Sequence, residues 1–240
     1  MTRAMIILAS TLLAGCGRVW LPDVLEEEAG RATASHVLSQ MPPADDSPWA
    51  PFVKDAGKKL AAVSERPDVD FRFYIVNSPE INAFAAPDGE IFVTTGLLRF
   101  AGRDSEAVAA VLAHEIGHVA RRHGGEEIQA EMGWTTAAVA IFGLDHSLTK
   151  LLAGLAGQLV DLGYGRDREL EADLCSIRYL TRLGYPPSTG LKFLQLFQAH
   201  EHERLPGIAK YLASHPPTAD RLAYAKAYAE NVASHNSQSR

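Results

Sequence analysis

The stretch LAHEIGHVARRH, residues 112–123, carries two histidines four positions apart, with a glutamate directly after the first. Residues four apart lie on one face of an α-helix, so His114 and His118 can bind one metal ion from the same side. Zinc accepts imidazole nitrogens at about 2.0–2.1 Å in tetrahedral geometry. Glu115 would flank such an ion and act as general base towards a metal-activated water molecule. The alternative is a polar patch on an exposed helix.

The residues that precede this motif argue against an exposed helix. Residues 107–113 read AVAAVLA, which predicts a helix that is mostly buried. Histidines and a glutamate inside a buried helix need partners. Asp104 or Ser105 can cap the helix at its start, and we expect the helix to end near His123, before the glycine pair that follows.

A catalytic zinc site needs a third protein ligand and an open fourth position. The candidates lie in GRDRELEADLCSIRYL, residues 165–180. A helix places Glu169 and Asp173 on one face, whereas Glu171 falls on the opposite face among arginines, as in a solvated charged surface. We therefore assign Glu169 as the third ligand and Asp173 as the acceptor that fixes the tautomer of a ligand histidine. The alternative is two carboxylates on a solvated helix.

Four motifs together resemble the M48 family of zinc metallopeptidases, within the gluzincin group. They are INAF (81–84), HEIGH (114–118), RELEAD (168–173) and SHPPTADRL (214–222), which occur in the family's order. The resemblance covers about residues 45–230. It implies a gluzincin-like metallopeptidase domain, one zinc ion per chain and endopeptidase activity.

The resemblance also implies roles for three further residues. Asn82 would hold the substrate backbone, beside a strand that pairs with an extended peptide. His215 and Arg221 would stabilise the oxyanion of the tetrahedral intermediate. From the residues alone, Asn82 also fits a turn, His215 a helix cap and Arg221 the surface. His215 could instead bind zinc as a fourth ligand and displace the attacking water.

The periodicity along the chain predicts a mostly α fold with one small β-sheet. Residues 71–77 (FRFYIVN) predict a strand, and residues 81–98 predict a hairpin around a Pro-Asp-Gly turn. The expected helices cover about residues 23–41, 50–65, 105–123, 165–183, 187–203 and 217–232, with two short helices in 133–163 and a polar tail at 231–240.

The first fifteen residues predict a signal peptide. Arg3 precedes the apolar run AMIILASTLLAG (4–15), which is too short to span a bilayer. The ending LLAGC resembles a bacterial lipobox, so Cys16 is the predicted lipidation site, and residues 16–44 would form the lipid anchor, a tether and an N-terminal helix. Gly17 favours an outer-membrane address, as in the small lipoprotein members of the family. An ordinary signal peptide with an incidental cysteine is the alternative.

The net charge, the second cysteine and the remaining histidines complete the sequence analysis. A net charge of −6 argues against nucleic acid, since no basic stripe is available. Cys175, the other cysteine, fits a buried apolar position. Histidines outside the motifs, His123 among them, show no partner pattern.

The sequence therefore predicts a zinc-dependent endopeptidase anchored by lipid in the bacterial envelope. It would face the periplasm from the outer membrane, the address that its sorting signal favours, and hydrolyse misfolded or misassembled envelope proteins. The alternative function is an assembly factor or chaperone that uses the same cleft with little turnover. The intact Glu115 between the two histidines favours the enzyme.

Overall fold

A computed structural model of the chain describes residues 23–132, 163–200, 207–216 and 219–238. Within these ranges the protein is mostly helical with one three-stranded sheet, which confirms the predicted fold class. The helices are α1 (Asp23–Gln40), α2 (Ala50–Ala62), α3 (Thr95–Ala101), α4 (Ser105–Ala120), α5 (His123–Met132), α6 (Arg166–Arg182), α7 (Lys192–Ala199), α8 (Ile208–Ser214) and α9 (Ala219–Gln238). The strands are β1 (Arg72–Val76), β2 (Ala83–Ala85) and β3 (Glu90–Thr94).

Three of the sequence predictions concern residues that the structure does not describe. The predicted signal peptide, Cys16 and nearly all of the apolar segment 133–163 lie outside the described residues. Among the helices that are described, none is both long and apolar enough to cross a bilayer.

The sheet has the order β1-β3-β2, with β1 parallel and β2 antiparallel to β3. The β2–β3 pair is the predicted hairpin. Gly89 closes its turn with a φ of 111°, and a Cβ at this position would lie 2.7 Å from Val69 Cγ1. The order of the strands leaves β2 at one edge of the sheet, and β2 packs against α4. An edge strand therefore runs beside the helix that carries the two histidines.

The helix α4 is the centre of the fold. The side chain of Asp104 caps its start by accepting a hydrogen bond from the backbone nitrogen of Ala107, at 3.0 Å. Every residue from Ala107 to Ala120 is buried, which confirms the prediction of a buried helix. Gly117 allows α6 to approach closely, since a Cβ there would lie 2.8 Å from Cys175 Cβ. Cys175 is fully buried, as predicted, and burial raises the pKa of its thiol.

The predicted end of α4 near His123 is wrong. The helix ends at Ala120, and Arg122 takes a left-handed backbone conformation with a φ of 59°. A new helix, α5, then begins at His123 and runs through the glycine pair that was expected to form the break. The turn at Arg122 brings the next residue, His123, into contact with His118 of α4.

The helices of the C-terminal part of the chain differ from those that the sequence predicts. In the described part of the expected helix at 187–203, the chain forms a 3₁₀ turn, Pro187–Leu191, followed by the short α7, and residues 201–203 lie outside the described ranges. The helix α8 has no counterpart in the predictions. The helix α9 continues to Gln238, through most of the expected polar tail.

Candidate metal centre and active site

Three donor groups from α4 and α6 converge on one point. The Nε2 atoms of His114 and His118 lie 3.0 Å apart. From α6, Glu169 places Oε2 at 3.5 Å from His114 Nε2 and Oε1 at 3.3 Å from His118 Nε2. Two ligands of one tetrahedral zinc ion are about 3.3 Å apart, because each lies about 2.0–2.1 Å from the metal. The spacing of these donors therefore fits a zinc ion.

A fourth potential ligand, His215, completes a group whose donor atoms all lie within 4.8 Å of one another. His215 follows α8, and its backbone nitrogen donates to Tyr211 O. Its Nδ1 lies 2.8 Å from Glu169 Oε1, and its ring stacks on Tyr211 at a centroid distance of 4.8 Å. The structure thus brings His215 into direct contact with the ligand glutamate.

The carboxylate of Glu115 is fully buried in this cluster. Neither of its oxygens has a hydrogen-bond partner within the described part of the chain. His215 Nε2 lies 3.8 Å from Glu115 Oε1, beyond hydrogen-bond distance. Burial raises the pKa of the Glu115 carboxyl. A buried carboxylate without a partner is unfavourable, and a water molecule or a substrate proton would satisfy it.

Asp173 and Arg221 contact His114 and Glu169 on the side away from the convergent donor atoms. Asp173 Oδ1 lies 3.0 Å from His114 Nδ1, the ring nitrogen that points away from the other donors. Arg221, from α9, donates to both oxygens of Asp173, and its Nη1 lies 2.8 Å from Glu169 Oε2. The guanidinium is buried and engaged with two carboxylates, so it lies behind the ligands.

The histidines and carboxylates of this cluster shift one another's pKa values. Burial alone would lower the pKa of His114, but its contacts with Asp173 and Glu169 outweigh burial and raise the pKa to about 10. Burial would raise the pKa of Glu169, yet His215 and the other histidines hold it well below its usual range. The carboxylates of Glu169 and Asp173 therefore favour positive charge at His114, whereas burial lowers the pKa of His118 well below its usual range.

Glu171 is not on a solvated face, contrary to the prediction. Its Oε1 lies 2.6 Å from Arg121 Nη2, and its Oε2 lies 3.2 Å from His123 Nε2. Arg178, further along the same face, contacts Cys175 Sγ at 3.0 Å. Arg178 and Arg182 of this face also pair with Glu65, in the segment after α2, so its charges are paired and only partly exposed.

His123, for which the sequence shows no partner pattern, lies in the site and has two partners. It is fully buried, and its Nδ1 lies 2.9 Å from His118 Nδ1. A continuous helix would turn a residue five positions after His118 to another side. The reversal at Arg122 removes that helical relation and brings the imidazole back against His118.

Tyr164 covers the other side of His118. The two rings stack at a centroid distance of 4.0 Å and an angle of 19°. The tyrosine lies in a narrow surface cleft beside the end of β2. The cleft is lined by Ala85, Ala86, Pro87, His118, Val119, Arg122, Gly124 and Tyr164. The edge strand and the ligand histidine therefore share one cleft.

Asn82 directly precedes the edge strand β2. Its backbone nitrogen donates to Thr94 Oγ1 and its carbonyl accepts from Thr94 N, both at 3.1 Å. The side chain is buried, and Oδ1 has no hydrogen-bond partner among the described residues. The amide is thus held at the start of the edge strand with an acceptor unsatisfied.

A buried His-His-Glu donor set with a carboxylate beside it is the arrangement of a metallopeptidase active site. The family model described as peptidase family M48 matches residues 50–229, well over half of the chain. The chain therefore belongs to peptidase family M48 and carries a His-His-Glu-His metal-binding group.

Named relatives agree with this assignment. The chain is 32% identical to the beta-barrel assembly-enhancing protease of Yersinia pestis, over 77% of this chain and 40% of the relative. It is 29% identical to the protease of the same name from Escherichia coli, over 84% of this chain and 43% of the relative. The mitochondrial metalloendopeptidase OMA1 of Arabidopsis thaliana is 32% identical over 56% of this chain and 27% of the relative. The chain thus spans about two fifths of the length of the two bacterial relatives.

Proposed function

We propose that the protein is a zinc-dependent endopeptidase of the bacterial envelope that hydrolyses misfolded or misassembled envelope proteins. One observation carries the proposal: Glu115 is fully buried beside three convergent ligand donors, and its oxygens lack partners in the described structure. A binding protein would have no need of this unfavourable carboxylate. The relatives named as beta-barrel assembly-enhancing proteases support an envelope substrate.

The proposed mechanism assigns one role to each group. His114, His118 and Glu169 would hold the zinc ion, which would polarise the scissile carbonyl and acidify water. Glu115 would take the proton from the attacking water and pass it to the leaving amine. His215 would donate to the developing oxyanion.

Asp173 and Arg221 would act through the ligands. Asp173 would accept a hydrogen bond from His114 Nδ1–H, which fixes the proton on Nδ1 and leaves Nε2 free to bind the metal. The contacts of Arg221 with Asp173 and Glu169 support a positioning role, in place of the oxyanion role that the resemblance implies. The arginine would hold both carboxylates at the distances that the metal requires.

The edge strand β2 supports a preference for extended substrates. A peptide segment can add to a sheet edge by main-chain hydrogen bonds, largely independently of its sequence. Asn82 would bind the substrate backbone at the start of this edge. Misfolded or unassembled proteins expose such extended segments, whereas folded proteins have theirs paired.

The direct test is cleavage of an unfolded protein by the purified soluble form, residues 17–240. We expect fragments from an unfolded substrate, none from the same protein when folded, loss of cleavage with a chelator, and recovery on addition of zinc. Cleavage that persists after complete removal of metal would contradict the metal-dependent mechanism.

The assignment of the third ligand predicts the zinc content of two variants. We expect one zinc ion per wild-type chain and almost none in Glu169→Ala, because the change removes the carboxylate ligand and the contact that holds His215 in place. Glu171→Ala changes the competing glutamate of the same helix and should still retain its zinc through purification. Elemental analysis of the purified proteins measures this. The reverse pattern would show that the assignment of the ligand is wrong.

The predicted lipid anchor gives a separate prediction about location. We expect Cys16→Ser to release the protein from the membrane fraction and to leave cleavage of a soluble substrate unchanged. Acyl chains contribute about 0.8 kcal/mol per buried CH₂ group, so membrane binding should depend on them. Fractionation with immunodetection measures the release. A variant that stays in the membrane fraction would assign the anchoring to another segment, such as residues 133–160.

A further inference from the structure

The two ligand histidines of α4 have different partners at their outer ring nitrogens. His114 Nδ1 faces a carboxylate directly, Asp173 Oδ1 at 3.0 Å. His118 Nδ1 instead faces a second imidazole, His123 Nδ1 at 2.9 Å. The Nε2 of His123 then lies 3.2 Å from Glu171 Oε2. The Glu171 carboxylate therefore contacts His118 only through the imidazole of His123.

The proton positions along this chain of contacts follow from the role of His118. To bind a cation through Nε2, His118 must carry its proton on Nδ1. That N–H can only donate to a His123 Nδ1 that has no proton, so His123 carries its own proton on Nε2. The Nε2–H then donates to Glu171, whose other oxygen accepts from Arg121. Every donor in the series therefore faces an acceptor.

We propose that His123 is a positioning residue for the metal site. It fixes the tautomer and orientation of His118, and Glu171, held by Arg121, fixes His123 in turn. The inference rests on the proposed zinc site. It gives Glu171, the glutamate that is not a ligand, a defined part in metal binding through a residue from another helix.

The local backbone supports this role for His123. The imidazole is fully buried between α4 and α6, where an apolar side chain would fill the space without an unpaired nitrogen. Arg122 takes a left-handed conformation, uncommon for a residue other than glycine, directly before it. That conformation is what lets His123 reach back to His118.

The test compares metal affinity among variants of His123. We expect His123→Leu, which removes the acceptor, to weaken zinc binding about 10–100-fold. The side-chain oxygen of asparagine lies close to the place of Nδ1, so His123→Asn should bind zinc within about threefold of wild type. Competition with a chromophoric chelator measures both affinities, and the absorption spectrum of bound Co²⁺ reports the geometry. We expect the leucine variant alone to have an altered spectrum.

Two further variants keep the test decisive if His123→Leu does not fold. Glu171→Ala should weaken zinc binding by about 10-fold, still tight enough for the purified protein to retain its metal. Glu126→Gln is the matched control, because Glu126 pairs with Arg168 between α5 and α6. We expect its affinity to equal that of the wild type. In the double variant His123→Leu/Glu171→Ala the losses should not add, since both remove the same support.

The outcomes separate this inference from the proposed function. A wild-type protein that binds no zinc would overturn both. Wild-type zinc binding with unchanged affinity in His123→Leu or in Glu171→Ala would overturn the inference alone. Equal losses in His123→Leu and His123→Asn would also overturn it, because they would show that the acceptor at Nδ1 has no role.

Discussion

Glu115→Gln is expected to lower kcat by about 10²–10⁴-fold, because an amide cannot take the proton from the attacking water. Zinc content should stay at the wild-type level, since Glu115 flanks the ligands and would not bind the ion. The side chains have the same shape, so the packing around α4 should be kept. Initial rates on an unfolded substrate, together with elemental analysis of the same preparation, measure the effect.

The same substitution makes an opposite prediction for stability. Both oxygens of Glu115 are buried without a hydrogen-bond partner among the described residues, which is costly for a charged group. A neutral glutamine removes that cost, so the melting temperature of Glu115→Gln should equal or exceed that of the wild type. A loss of activity with a gain of stability is the pattern of a residue retained for chemistry.

The control for Glu115→Gln is Glu126→Gln, which makes the same chemical change at a paired glutamate of α5. Its cleavage rate should match the wild type. A Glu115→Gln protein that still cleaves at nearly the wild-type rate would remove Glu115 from the mechanism. A variant that cleaves nothing and still rescues a null strain would favour the assembly-factor alternative.

The parts of the fold that the sequence predicts well are those with local signals. The cap at Asp104 marks the start of α4, and the Pro-Asp-Gly turn marks the hairpin. The end of α4 has no such signal. The glycine pair Gly124-Gly125 suggests a break there, but the chain reverses two residues earlier, at Arg122. A left-handed arginine is a result of tertiary packing, and no local pattern predicts it.

The same division applies to the site. The spacing of His114 and His118 and the shared face of Glu169 and Asp173 are helical geometry, and the structure places all four together. The surroundings of Glu171 depend on which helices pack together, so its pairing with Arg121 could not be read from α6 alone. Residues that share one helix can be predicted from their spacing, whereas the partners of Glu171 and His123 meet only after folding.

His215→Ala is expected to lower kcat by about 10²–10³-fold, the effect of losing an oxyanion donor. His215 lies between Glu169 and Glu115. Its Nδ1 is 2.8 Å from Glu169 Oε1, and its Nε2 is 3.8 Å from Glu115 Oε1. Arg221 is the other donor that the resemblance suggests, but it is engaged with Asp173 and Glu169. Removing His215 should therefore leave the oxyanion without a replacement.

A second role for His215 predicts the opposite result. The ring belongs to the group of four potential ligands, so it could bind zinc itself and displace the attacking water. His215→Ala would then raise the cleavage rate. The variant His215→Asn separates the two roles, because its amide can still donate to an oxyanion but is a poor ligand for zinc. Loss of activity in alanine, partial recovery in asparagine and unchanged zinc content would assign His215 to the transition state. Faster cleavage by both variants would instead mean that His215 keeps the enzyme latent and that another group stabilises the oxyanion.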